Sequence, residues 1–156
     1  MSVLAAGGSA TDAAVAIQAV LGLVEPQSSG LAGGAFMLHY DAETQPVTAY
    51  EGRIEAPLSV DPSMLLDEDG APMDYLEASS MGRVFGVPGV VAMLARAHGE
   101  RGELPWAELF DTAIGLATDG IEVSRRMAGG LKLAVAVGAS DEFIELYSNS
   151  GVLLRE

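Results

Sequence analysis

The stretch Gly33-Gly34-Ala35-Phe36-Met37-Leu38-His39-Tyr40 decides the fold class of this chain. Two glycines open a run of six residues rich in apolar and aromatic side chains. It reads as a β-strand over Ala35–Tyr40, apolar on both faces and hence expected to be central in a sheet. Asp41 to Pro46 is a polar turn, and Val47-Thr48-Ala49-Tyr50 reads as the return strand of a hairpin. On the N-terminal side, Gln27 to Gly34 is a turn-rich loop. Its glycines Gly30, Gly33 and Gly34 allow positive φ or close backbone approach. Before the loop comes a helix, from about Ala10 to Leu23. Ser9 is its expected N-cap, and Asp12, three residues on, completes a weak capping box with Asp in place of Glu. Pro26 stops it. Ala14, Ile17, Leu21 and Val24 share one stripe, but Ala13, Val15, Ala16 and Val20 fill much of the rest. A helix this apolar all round is expected to be buried on most sides.

Beyond the hairpin, Glu51 to Pro57 leaves the sheet. Residues 58–80 carry Pro62, Pro72 and an acidic turn, Asp67-Glu68-Asp69-Gly70. They read as an irregular surface excursion with one short helix. A helix follows Pro88, with Val91, Leu94, Ala95 and His98 on one side and Gly99 as C-cap. Another starts near Pro105, presents Leu109, Ala113, Leu116 and Ala117, and ends at Gly120. Ser124 N-caps a third, through about Val135. The tail from Asp141 to Glu156 is ambiguous. No internal repeat and no linker splits the chain. The expectation is one domain over residues 1–156, of class α+β, with several apolar helices packed on a small antiparallel β-hairpin.

Composition narrows the function classes. The 156 residues are 49% hydrophobic and 19% charged, which excludes intrinsic disorder. The formal net charge is −14 and the isoelectric point about 4.3. So acidic a surface repels phosphate backbones and anionic membranes, so neither nucleic acid nor a membrane surface is an expected partner. There is no cysteine, which excludes disulfides, thiolate metal sites and a cysteine nucleophile. Two histidines, His39 and His98, argue against a histidine-rich zinc site, and no cofactor is expected. Met1-Ser2-Val3-Leu4 lacks the basic region of a signal peptide. The near-apolar run Ala13 to Val24 is too short to span a bilayer, so no membrane insertion is expected. The compartment stays open.

No self-sufficient active site is visible. The nucleophile elbow, the zinc-protease helix motif and the phosphate-binding loop are all missing from the sequence. Gly30-x-x-Gly33-Gly34 precedes a strand rather than a helix, so it does not match a dinucleotide fingerprint. His39, in a strand, and His98, near a helix end, read as structural. The acidic run Asp67–Asp69 lacks calcium-loop spacing and reads as a solvated turn. Arg53 stands apart. It follows a strand, sits beside Gly52, and presents a planar fork of donors suited to a carboxylate. Two readings are open: an ion pair with Glu51 or Glu55, or a clamp for a ligand carboxylate.

Five blocks, in order, resemble the N-terminal part of the large subunit of γ-glutamyltransferases (γ-glutamyltranspeptidases). They are Gly7 to Ala16, Val24 to Met37, Gly52-Arg53-Ile54-Glu55-Ala56-Pro57, Gly86-Val87-Pro88-Gly89, and Leu104-Pro105-Trp106. The resemblance implies part of an αββα fold of the N-terminal-nucleophile hydrolases. It implies a precursor that cleaves itself, exposing a threonine as nucleophile with its own α-amine as base. The implied substrates are γ-glutamyl compounds such as glutathione, with transfer to water or amino acids and an oxyanion hole at each tetrahedral step. The implied role of Arg53 is to bind the α-carboxylate of the γ-glutamyl group. The Gly30 to Gly34 glycines are read as packing and turn residues.

Three positions depart from the family pattern. Ser9 replaces a usual Asn and Ala32 a usual Gly. Ile54 replaces the Glu that usually follows the arginine, and Glu55 comes one place later. Successive strand-like residues point to opposite faces, so Glu55 is not a simple substitute. No segment resembles the family's nucleophile, oxyanion glycines or remaining γ-glutamyl ligands. The chain is therefore expected to be a large-subunit portion, inactive alone, whose partners are the remainder of the large subunit and the small subunit of the same precursor. Alternatives are a related acylase of cephalosporin or poly-γ-glutamate type, or a non-catalytic binding or structural module. Sheet edges and apolar helix faces that lack their partners are expected to drive self-association.

Overall fold

The hairpin forms as its alternation and turn dictate. In the computed structural model, which describes residues 1–79, 81–149 and 152–154, strand β1 (Ala35–Tyr40) pairs antiparallel with β2 (Val47–Gly52). The register runs from Ala35 opposite Gly52 to Tyr40 opposite Val47. In the turn, the Asp41 carboxylate accepts the amides of Glu43 and Thr44 at 2.9 and 3.2 Å. β2 continues through Glu51 and Gly52, two residues past the expected Tyr50. One face of the hairpin, with Met37 and Tyr50, packs toward helix α4 (Val90–Arg101). The other face exposes Phe36 (67%), Leu38 (73%) and Tyr40 (59%). The expectation that β1 is central does not hold. Among the described residues its sheet has two strands, and a helix layer covers only one face.

Helix α1 spans Ser2–Ala5 and α2 spans Ala10–Val24. The capping box at the start of α2 is complete: the Asp12 amide donates to Ser9 Oγ at 3.1 Å, and the Ser9 amide to Asp12 Oδ2 at 2.8 Å. α2 buries Thr11, Asp12, Val15, Ala16 and Ala19. Ile17 and Leu21, on the expected stripe, are exposed. Of the fifteen residues of α2 only Ala10, Ile17 and Leu21 are exposed, along one narrow stripe, so the helix is covered on most sides as expected. A helix apolar all round carries little information about which face is turned inward; its partners choose.

Helix α4 also differs from expectation. It runs through Gly99 to Arg101, and it buries Val90, Met93, Leu94 and Ala97, leaving Val91 and Ala95 exposed. The reason is tertiary. The amides of Glu103 and Leu104, just past its end, are caught by the Asp12 carboxylate of α2 at 3.0 and 3.2 Å. The exit of the helix is therefore set by Asp12, and Gly99 remains an ordinary helical residue.

Downstream, the segment after Pro105 opens as a 3₁₀ turn (Trp106–Phe110) before α5 (Asp111–Asp119), which ends at Gly120 with φ +94°. Such a φ favours glycine as the stop residue. α6 (Arg125–Ala136) starts as expected, with Ser124 Oγ accepting the Met127 amide at 3.0 Å. The short helix of the excursion is α3 (Tyr75–Ser79). The ambiguous tail forms α7 (Asp141–Leu146) and a two-residue pairing of β3 (Ser148–Asn149) with β4 (Val152–Leu153). Residues 150, 151, 155 and 156 of the tail lie outside the described ones. The core joins Val15 and Ala16 of α2, Tyr50 of β2, Val90, Met93, Leu94 and Ala97 of α4, and Leu109. Each large side chain fully buried there contributes about 1.5–3 kcal/mol. The class is α+β: helices packed on a small antiparallel sheet.

Candidate functional site

Arg53 is held by its neighbours' backbone. β2 ends one residue before it, at Gly52. Two residues after it, Glu55 and Val87 exchange both backbone hydrogen bonds, at 3.2 and 2.8 Å. The start of α4 is tied to the glycine loop, because the amides of Gly89 and Val90 donate to the Gly33 carbonyl at 3.3 and 3.2 Å. Three backbones meet here with no space for side chains. A Cβ on Gly52 would lie 2.5 Å from Met93 Cβ, one on Gly89 would lie 2.7 Å from the Gly52 carbonyl oxygen, and one on Gly34 would lie 2.6 Å from the Ile54 nitrogen. Gly34 and Gly33 thus act in packing and backbone bonding. Gly30 borders a groove, where the Gln18 amide donates to Ser29 Oγ at 3.1 Å.

A cleft of about 300 Å³ opens at this junction, lined among others by Glu51, Arg53, Glu55, Met93 and Arg96. Arg53 is exposed, and among the described residues its guanidinium pairs with no carboxylate, neither Glu51 nor Glu55. Arg96, on the opposite wall, is engaged. Its Nε donates to Glu100 Oε1 at 3.0 Å, while the hydroxyl of buried Tyr50 donates to Glu100 Oε2 at 2.8 Å. Those two hydrogen bonds, Arg96's first, hold the Glu100 carboxyl below its usual range. Chemically the cleft can offer Arg53 to a small anion from a backbone tied by hydrogen bonds on its C-terminal side and close-packed at Gly52.

The other candidates are structural. His98 Nε2 donates to the Leu104 carbonyl at 2.9 Å and lies 3.5 Å from Asp12 Oδ1, with its ring edge-on to Trp106 at 5.2 Å. His39 sits half-buried on the inner side of the hairpin, away from the cleft. The Asp67 carboxylate closes its own turn by accepting the amides of Asp69 and Ala71 at 3.0 and 2.8 Å. Among the described residues no group of three or more His, Cys, Asp or Glu could hold a metal. No described helix is long and apolar enough to cross a membrane.

Asp12 has a larger part than its sequence context signals. It is fully buried, and its Oδ2 accepts three amides, those of Ser9, Glu103 and Leu104. Burial pushes its carboxyl up, but the amides of Glu103, Ser9 and Leu104 outweigh this and hold it below 3.8. The local capping spacing was its only sequence signal; the partners ninety residues on left none.

A family model described as gamma-glutamyltranspeptidase matches residues 1–156. The glutathione hydrolase proenzyme of Bacillus subtilis (strain 168) is 39% identical over 126 residues, covering 81% of this chain and 22% of that protein. The crystal structure of Helicobacter pylori gamma-glutamyltranspeptidase superposes with a TM-score of 0.89 at 32% identity, covering 99% of this chain and 44% of that one. The crystal structure of cephalosporin acylase from Bacillus halodurans superposes with a TM-score of 0.68 at 26% identity, covering 96% of this chain and 26% of that one. The chain thus spans about a fifth of the length of the curated relatives it matches.

Proposed function

Because this chain belongs to the gamma-glutamyltranspeptidase family, we propose that it forms, as one domain over residues 1–156, the part of a γ-glutamyl-transferring enzyme that binds the donor's α-carboxylate through Arg53. In the complete enzyme a threonine supplied by another segment of the precursor attacks the γ-amide carbon. Its hydroxyl proton passes to the α-amine and then to the leaving amine. The resulting γ-glutamyl ester is resolved by water or by an amino-acid amine. This chain holds no such nucleophile and is inactive alone. Its partners are the remainder of the large subunit and the small subunit, and its ligands are γ-glutamyl compounds such as glutathione.

The observation that carries this reading is the state of Arg53. It is an exposed cation in a cleft, with no carboxylate partner among the described residues, on a backbone pinned at Gly52 and Glu55. A guanidinium so placed meets a carboxylate with two parallel charge-assisted hydrogen bonds. The test is Arg53→Ala in an enzyme of full family length that contains these residues. Such a contact is worth about 1.5–3 kcal/mol, so KM for a γ-glutamyl donor rises roughly tenfold to 150-fold. Unchanged kinetics would remove Arg53 from the site. Hydrolysis of a chromogenic γ-glutamyl anilide by the 156-residue chain would remove the claim of inactivity.

A second reading, a related acylase, is favoured by Ile54. Its half-exposed side chain faces Gly86 and lines an apolar pocket with Ala56, Pro57, Val60 and Phe85, where the family pattern has a carboxylate. A panel of γ-glutamyl and other acyl amides on the full-length enzyme separates the two.

A further inference from the structure

No side chain of the cleft holds Arg53. Its guanidinium has no ion pair and no side-chain hydrogen bond among the described residues, so its aim is set by the backbone that carries it. The next residue grips that backbone from another side. Arg53 lines the cleft, whereas Ile54 lines a separate apolar pocket with Val60, Val84 and Phe85, as successive strand-like residues do. There Ile54 is seated on Gly86. A Cβ on Gly86 would lie 2.0 Å from Ile54 Cγ2 and 2.9 Å from the Glu55 carbonyl oxygen, so the Ile54 branch fills the space that any other residue at 86 would need. On its main-chain side, the Ile54 nitrogen lies 2.6 Å from where a Cβ on Gly34 would stand. Ile54 is thus packed between two glycines, and the paired backbones of Glu55 and Val87 follow directly. A β-branched side chain is stiff at χ1, so a fixed seat for its methyl also fixes the main chain it hangs from. The seat is apolar where the family pattern has a carboxylate.

We infer that Ile54 is a positioning residue: seated against Gly86, it fixes the direction from which Arg53 enters the cleft and so sets how tightly Arg53 holds its anion. This rests on the reading of Arg53 given above. Ile54 itself touches no ligand, and its effect passes through the guanidinium of its neighbour.

The experiment measures KM and kcat for a chromogenic γ-glutamyl anilide in an enzyme of full family length that contains these residues. Ile54→Ala empties the seat and should raise KM about threefold to tenfold, with kcat within about twofold. The volume-conserving Ile54→Leu moves the branch away from Gly86 and should act in the same direction, which keeps the test if Ile54→Ala does not fold. Ile54→Val keeps the methyl that faces Gly86 and should return KM to within about twofold of the unaltered enzyme. In an Arg53→Ala background, Ile54→Ala or Ile54→Leu should change KM by less than about twofold, because the group that Ile54 aims is gone. A merely structural role predicts the same change in both backgrounds. Unchanged KM in Ile54→Ala and Ile54→Leu, beside a raised KM in Arg53→Ala, would overturn the positioning role and leave the Arg53 reading standing. So would a loss of kcat as large as the rise in KM, or an effect that persists undiminished in the Arg53→Ala background. Unchanged KM in Arg53→Ala would overturn both.

Discussion

Asp12→Asn should destabilise this chain by about 3 kcal/mol, and the loss should depend on pH. The native carboxylate accepts three amides through Oδ2: Ser9 at 2.8 Å, Glu103 at 3.0 Å and Leu104 at 3.2 Å. Asparagine keeps the shape and one acceptor oxygen but loses the charge. Hydrogen bonds to a charged group are worth about 1.5–3 kcal/mol and neutral ones about 0.5–1.5, so each of the three loses about 1 kcal/mol. The new amide nitrogen takes the place of Oδ1, 3.5 Å from His98 Nε2, where a donor faces a donor. The sign with pH follows from linkage. The Asp12 carboxyl lies below 3.8 in the folded chain. Its stabilisation is therefore complete above about pH 4 and fades as pH falls through the lower folded value. Urea unfolding followed by circular dichroism, from neutral pH to about pH 3, measures both effects. The gap between the two proteins should be widest at neutral pH, near 6–12 °C in Tm for a chain of this size, and should narrow in acid. A gap under about 0.5 kcal/mol, or one that does not change with pH, would refute the assignment of Asp12 as the charged tie between α2 and the exit of α4.

Three further outcomes follow from particular contacts. Thr11 is 1% exposed and its hydroxyl has no hydrogen-bond partner among the described residues. Thr11→Val should raise stability by about 1 kcal/mol in denaturant melts; a loss of that size would mean the hydroxyl is satisfied. Gly52→Ala places a methyl 2.5 Å from Met93 Cβ and 2.9 Å from the Gly89 carbonyl oxygen. It should cost about 1–3 kcal/mol and shift the amide signals of Arg53 and Glu55, and an unperturbed spectrum would show that the junction is loose. The outer hairpin face, with Phe36, Leu38, Tyr40 and Val47 exposed, should drive association that light scattering detects as mass rising with concentration. Leu38→Lys should weaken it, and a monomer at all concentrations would show that this face does not self-dock.

Local chemistry was legible where a residue acts on its own neighbours. Ser9 and Ser124 cap their helices, Pro26 follows the end of α2, Gly120 stops α5, and the hairpin turn closes on Asp41. Those interactions span four residues or fewer, so the sequence carries both partners side by side. The Arg53 motif was legible in the same way, as a run of adjacent residues. The inward faces of α2 and α4 were not. In α2 nearly every position is apolar, so the periodicity favours no face, and the contacts with α4 and the Trp106–Phe110 turn choose Val15 and Ala16 over Ile17 and Leu21.

The sequence by itself determined the hairpin, the N-caps of α2 and α6, the stop of α5, the family and the arginine at the end of β2. Only the tertiary structure decided that Asp12 ties α2 to the exit of α4, and that Gly34, Gly52 and Gly89 bring three backbones into contact. It alone set Glu51, Arg53 and Glu55 along one cleft. The physical reason is range. Caps and turns are satisfied within a few residues, whereas close backbone approach and charge complementarity form between segments that folding alone brings together.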